Sequence, residues 1–95
     1  MIVRRGGNRY LVEGPVTFDS VGTLIEEGSV FEGSSVIVDF AGVTNADSSA
    51  VSLLLEWVRQ SGGGGRKIAF ANLSRGVLSL AELYGVADLI PIAAD

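Results

Sequence analysis

The sequence predicts a small α/β fold, and three observations carry that expectation. Short runs rich in β-branched residues alternate with segments of helical periodicity, in the order strand, strand, helix, strand, helix, strand, helix. The first two strands are separated by a glycine turn and read as a hairpin, whereas the later strand–helix–strand alternation implies right-handed parallel crossovers. The chain has 95 residues, 47% hydrophobic and 19% charged, which is enough for one core and too little for two. No repeat or long linker divides it, so residues 1–95 are expected to form a single domain.

Ile2 to Arg5 reads as the first strand, Gly6-Gly7-Asn8 as a turn, and Arg9 to Glu13 as the second strand, ended by Pro15. From Ser20 to Phe31, the residues Val21, Leu24, Ile25 and Phe31 recur at helical spacing, with Gly22 and Gly28 weakening the helix. Val36-Ile37-Val38 is continuous and β-branched, as in a strand buried on both faces. The clearest helix runs from Ser49 to Gln60, where Val51, Leu54, Leu55 and Val58 follow the i, i+3, i+4, i+7 rule and Gly62 stands ready to end it. Lys67 to Ala71 is a further strand. Ser74 to Tyr84 is a helix with Val77, Leu80, Ala81 and Tyr84 on one face and Gly85 as its stop. Ile90 to Ile92 reads as a short edge strand, the place in a sheet where Pro91 is tolerated.

Composition narrows the function. The chain has no cysteine and no histidine, which removes disulfides, thiolate metal sites, cysteine nucleophiles and the commonest general base and metal ligand. A formal charge of -4 opposes binding to nucleic acid. The basic clusters Arg4, Arg5, Arg9 and Arg66, Lys67 read as solvated surface. Arginines interrupt the N-terminus before any signal-peptide core, and no apolar run approaches the ~20 residues needed to span a bilayer, so a cytoplasmic protein is expected. The glycine run after Ser61 follows a helix and precedes a strand, the reverse of a phosphate loop, and reads as a helix stop and turn. Asp39 and Asp47, near one end of the sheet, are the carboxylate pair an enzyme could use here, but Asp39 reads instead as ending a strand and holding the loop. No nucleophile–base pair, metal cluster or cofactor loop accompanies them, so no catalytic residue and no cofactor is expected.

The most informative stretch runs from Val36 to Trp57. A strand ends in Asp39, a loop crosses over, and Asp47-Ser48-Ser49 sits where a helix begins. Asp and Ser are preferred caps for free helical amides, and two hydroxyls at the positive end of a helix would also tolerate an added phosphate. At ~100° per residue, Ser49, Ser52, Glu56, Arg59 and Gln60 fall within roughly 120° of Ser48. Ala50, Val51, Leu53, Leu54, Leu55, Trp57 and Val58 cover roughly 200°, more than a surface helix usually buries. With the core face centred on Leu54 and Val58, Leu53 and Trp57 fall at one margin and Leu55 at the other. An edge of this arc is a candidate docking surface.

The run VIVDFAGVTNADSSAVSLLL resembles the central motif of STAS domains, a strand ending in Asp followed by a helix that starts D-S/T-S/G-G. The resemblance extends in element order over nearly the whole chain. It implies a STAS-like mixed β-sheet of four to five strands with helices packed mainly on one face, and partner binding through the start of the second helix. LLLEW after the motif and LAELYGV from Leu80 to Val86 are similar to the MlaB-like subunits of bacterial Mla phospholipid transporters. That likeness implies a non-catalytic cytoplasmic subunit bound to a MlaF-like ABC transporter ATPase, in a complex with a membrane permease. It would be peripheral to the inner membrane through this partner, with no membrane insertion of its own. Another STAS subfamily implies an anti-sigma factor antagonist switched by serine phosphorylation. Matched on the motif, the MlaB-like hydroxyl falls on Ser48 and the phosphorylated serine on Ser49, while Ala50 replaces a usual glycine. The implied partner-binding set is Asp47, Ser48, Ser49, Ala50, Ser52, Leu53, Glu56 and Trp57, bordered by Arg75, Leu78 and Tyr84 of the third helix.

Overall fold

The computed structural model describes residues 1–93. Along the chain these form β1 (Ile2–Gly6), β2 (Arg9–Val16), α1 (Val21–Glu27), β3 (Ser35–Ala46), α2 (Ser49–Gly63), β4 (Lys67–Ala71) and α3 (Arg75–Leu83), with short 3-10 turns at Gly28–Val30 and Ala87–Leu89. Spatial strand order follows chain order, β1-β2-β3-β4; β1 and β2 are antiparallel, and both later pairs are parallel. Gly6 and Gly7, both at positive φ, close the hairpin, a conformation that residues with a Cβ rarely adopt. This is the expected mixed sheet.

Alternation along the strands decides what is buried. Tyr10, Val12 and Val16 of β2, Val36, Val38 and Phe40 of β3, and Ile68 and Phe70 of β4 join one cluster with Leu24, Leu53, Leu54, Trp57, Val77 and Ala81 of the helices. The helices therefore share one face of the sheet. Ile37 points to the other face and is only half-buried, so Val36-Ile37-Val38 is not enclosed on both sides as its composition suggests. That face still holds Leu11 and Asp39 as buried residues.

Several boundaries differ from expectation, each for a local reason. β2 continues through Pro15 to Val16. Its pairing with β1 has ended by then, so no neighbour on that side needs the missing amide, and the register against β3 shifts between Gly14 and Val16. β3 does not end at Asp39; it runs on to Ala46, pairing Gly42 with Glu13, Val43 with Gly14 and Ala46 with Val16. α1 stops at Glu27, and the following 3-10 turn carries Phe31 into the core. The last segment is a single parallel bridge between Ile92 and Phe70 rather than a strand, and Ile90 is buried in the core.

The buried face of α2 is Ala50, Val51, Leu53, Leu54, Trp57 and Ser61, with Val58 and Leu55 at its margins. It is rotated from the Leu54–Val58 axis expected from periodicity. Trp57 explains the rotation. Its ring meets Phe31 edge-on at 5.2 Å and Phe40 at 6.5 Å, beneath the end of α1. Gly28 makes room for it, since a Cβ there would lie 2.4 Å from Trp57 Nε1. α2 packs on β4, α1 and α3 together, and this three-sided burial accounts for its wide apolar arc.

Candidate docking site at the start of α2

Asp47, between β3 and α2, ties three segments together. Its Oδ1 accepts from the Ser49 amide at 2.9 Å and from the Ser49 hydroxyl, and its Oδ2 accepts from the Phe18 amide at 3.0 Å. Its own amide donates to the Val16 carbonyl at 3.2 Å. The Ser49 hydroxyl foremost, then the Phe18 and Ser49 amides, hold the Asp47 carboxyl below its ordinary pKa. Asp47 is thus the working cap of α2. Ser48 makes no capping bond and is exposed.

The loop opposite is equally fixed. Ser20 Oγ accepts from the Thr17 amide at 2.9 Å and donates to the Pro15 carbonyl at 2.9 Å, holding the turn that carries Phe18. Phe18 stands 83% exposed at its tip, and Tyr84, the C-cap of α3, is 52% exposed. Between them lies a groove of about 420 Å³ lined by Phe18, Val21, Asp47, Ser48, Ser49, Ser52 and Tyr84. It has hydroxyls along the middle and an aromatic residue from each flanking element. Ser49 is half-buried with its hydroxyl engaged by Asp47, whereas Ser48 and Ser52 face outward.

Of the residues expected at a docking surface, Asp47, Ser48, Ser49, Ser52 and Tyr84 are brought to this groove. Ala50, Leu53 and Trp57 are not: they are 0%, 0% and 1% exposed and belong to the core, because α1 covers the margin of α2 that was expected to be open. Glu56 faces along its own helix, accepting from Arg59 Nε at 3.0 Å and Gln60 Nε2 at 2.9 Å. Arg75 and Leu78 are exposed on α3 but do not line the groove. Phe18 and Val21 were not anticipated. The available signal was an aromatic residue in VTFDS, a segment too polar and turn-rich to bury it.

Asp39 and Asp47 form no carboxylate pair. They are separated along one extended segment by roughly 25 Å at ~3.3 Å per residue. Asp39 accepts from Arg9 Nη2 at 2.9 Å, Asn72 Nδ2 at 2.9 Å and the Ala41 amide at 2.8 Å. Burial pushes its pKa up, but the bonds from Asn72, Ala41 and Arg9, with the charge of Arg9, outweigh burial and hold it below the ordinary value. Among the described residues no cluster of His, Cys, Asp or Glu could hold a metal ion, and no helix is long and apolar enough to cross a membrane.

Comparison with known proteins adds to this geometry. The family model described as "Mlab, STAS domain" matches residues 11–91. Among solved structures, the anti-sigma factor antagonist SpoIIAA in its unphosphorylated form aligns with 100% of this chain and 88% of its own, at 15% identity and a TM-score of 0.69. A sulfate transporter family protein from Wolinella succinogenes aligns over 95% of this chain and 75% of its own, at 18% identity and a TM-score of 0.68. The SulP transporter STAS domain from Vibrio cholerae aligns over 93% and 70%, at 19% identity and 0.62. At these identities the likeness is one of fold. No curated protein sequence matches the chain.

Proposed function

The chain belongs to the STAS domain family described by the Mlab model, and from that membership we propose that it is a non-catalytic subunit of an ABC-type phospholipid (Mla/MCE) transport system. In this reading the groove at the start of α2 docks on the cytoplasmic ATPase and supports its assembly and activity. The observation that carries it is the pairing of outward hydroxyls, Ser48 and Ser52, with two exposed aromatic flanks, Phe18 and Tyr84, on a backbone fixed by Asp47. Exposed aromatic side chains such as Phe and Tyr are enriched at protein interfaces, and a prefixed backbone lowers the ordering cost of docking.

Ser48→Glu tests it, because it places a charge at the centre of the groove without touching the core. The tagged wild-type chain is expected to recover an ABC ATPase with its permease from the host, and Ser48→Glu to lose both. Unchanged affinity of Ser48→Glu for the purified ATPase in a calorimetric titration would refute the reading. The alternative, an antagonist of an anti-sigma factor, draws on the Ser49–Asp47 hydrogen bond. A phosphate on Ser49 would stand beside the Asp47 carboxylate and break the tie that places Phe18. Intact-mass measurement after incubation with the partner kinase separates the two, since only the alternative predicts phosphate on Ser49.

A further inference from the structure

β4 is an outer strand of the sheet, and its two halves are covered differently. The Lys67 amide donates to the Ser34 carbonyl at 2.8 Å, so Lys67 turns its amide toward β3, and alternation turns the backbone groups of Ile68 and Phe70 outward. At Phe70 they are used: its amide donates to the Pro91 carbonyl at 2.9 Å, and its carbonyl accepts from the Ala93 amide at 2.8 Å. At Ile68 no such bond is present among the described residues. The chain cannot extend its own bridge to reach it, because Ile90, which would stand opposite, is turned into the core after the 3-10 turn. A cleft of about 560 Å³ opens there, with Val58, Ile68, Ala69 and Ile92 in its walls and Arg66 and Lys67 beside them.

We propose that this cleft is a second docking site, which takes an extended, apolar segment with acidic flanks from a partner protein as a short strand against Ile68. An acyl chain would fit the apolar walls but would cover the Ile68 amide and carbonyl without pairing either, a desolvation cost that a peptide backbone avoids. A second copy of the chain is disfavoured by charge. Pairing two β4 edges antiparallel about Ile68 would bring the Lys67 residues of both copies into diagonal reach on one short ladder, and pairing β4 with another copy's β1 would add its Arg4 and Arg5 to the same cluster of positive charge. The outward Ile2 amide of β1 is moreover already bound to Glu27 Oε1 at 2.9 Å. Acidic flanks instead meet the exposed Lys67 favourably, in a chain whose net charge of -4 otherwise repels them. Added strands of this kind draw affinity from main-chain bonds and specificity from alternate side chains. The cleft takes Val58 and Gly62 toward the C-terminal end of α2, whereas the serine groove takes Ser49 and Ser52 at its start, so the two sites share no residue.

The test titrates the isotope-labelled protein with a capped Asp-Val-Thr-Val-Asp peptide, its Lys-flanked counterpart and a form N-methylated at the central residue. The acidic peptide is expected to shift the amide signals of Ile68, Phe70 and Ile92 and to slow hydrogen exchange at Ile68. N-methylation, or Lys67→Glu on the exposed surface, should weaken binding by about tenfold, and Ser48→Glu should not affect it. Absence of any response at Ile68, or an equal response to the Lys-flanked peptide, overturns the proposal. Protection of Ile68 that grows with protein concentration alone overturns it in favour of a second copy, and shifts produced by decanoate but not by the peptide overturn it in favour of an acyl occupant.

Discussion

Asp47 shows how much of the candidate groove depends on one short side chain. Its two oxygens hold the start of α2 and the Phe18 loop in one frame, and both bonds to Phe18 and Ser49 need an acceptor. Asp47→Asn puts a donor where one of these oxygens accepts. It is expected to lower the melting temperature by a few degrees and to weaken partner binding by more than Ser52→Ala does, read by thermal melt and titration on the same samples. The hydroxyls of the groove were legible in the sequence because Asp-Ser-Ser before an apolar helix has few other uses. Which of the three caps the helix was not, since the choice depends on whether the loop at Phe18 comes within bonding distance. Phe18 escaped notice for the same reason: its exposure follows from the Ser20 bonds that shape its turn, and those bonds link residues across a loop of no periodicity.

At the scale of the element, α2 carries the main disagreement between pattern and packing. The apolar arc of this helix was measurable from spacing alone, but the neighbours that cover it were not, because α1 is short and glycine-weakened and gave little sign of its reach. The fold order, the hairpin and the parallel crossovers were legible, since each rests on local turn chemistry and period. The seven extra residues of β3 were not, because a shifted register breaks the alternation that marks a strand. Burial and exposure now separate two mutations. Leu53→Ala should cost about 2–5 kcal/mol in a denaturant melt and leave the affinity of the folded protein unchanged. Phe18→Ala should leave the melt unchanged and cost about 2 kcal/mol of partner binding. A large binding loss for Leu53→Ala at a temperature where it remains folded would show that the helix margin takes part in docking after all.

For the whole molecule, Asp39 is the staple on the face of the sheet that no helix covers. It joins Arg9 of β2, its own strand β3, and Asn72 at the end of β4. Its folded pKa lies below its unfolded value near ~3.9, so the folded state gives up the proton more readily. The stability it supplies is therefore fully present above about pH 5 and is lost as pH falls through the unfolded and then the depressed folded pKa. Denaturant melts across that acidic range should show a steep loss for the wild type. Asp39→Asn should be less stable at neutral pH and flatter in acid; a variant that keeps the wild-type slope would assign the acid sensitivity to other carboxylates.

The single tryptophan, packed against Gly28 with no hydrogen-bond partner at Nε1 among the described residues, gives the protein an optical label that reports on one event only. An indole sealed from water should emit at short wavelength and resist collisional quenching by iodide. Because Trp57 lines neither the serine groove nor the β4 cleft, ligands at either place should leave its emission nearly unchanged. Folding can then be followed by intrinsic fluorescence in the presence of a peptide that carries no tryptophan, and a red shift on adding that peptide would mean that docking loosens the core itself.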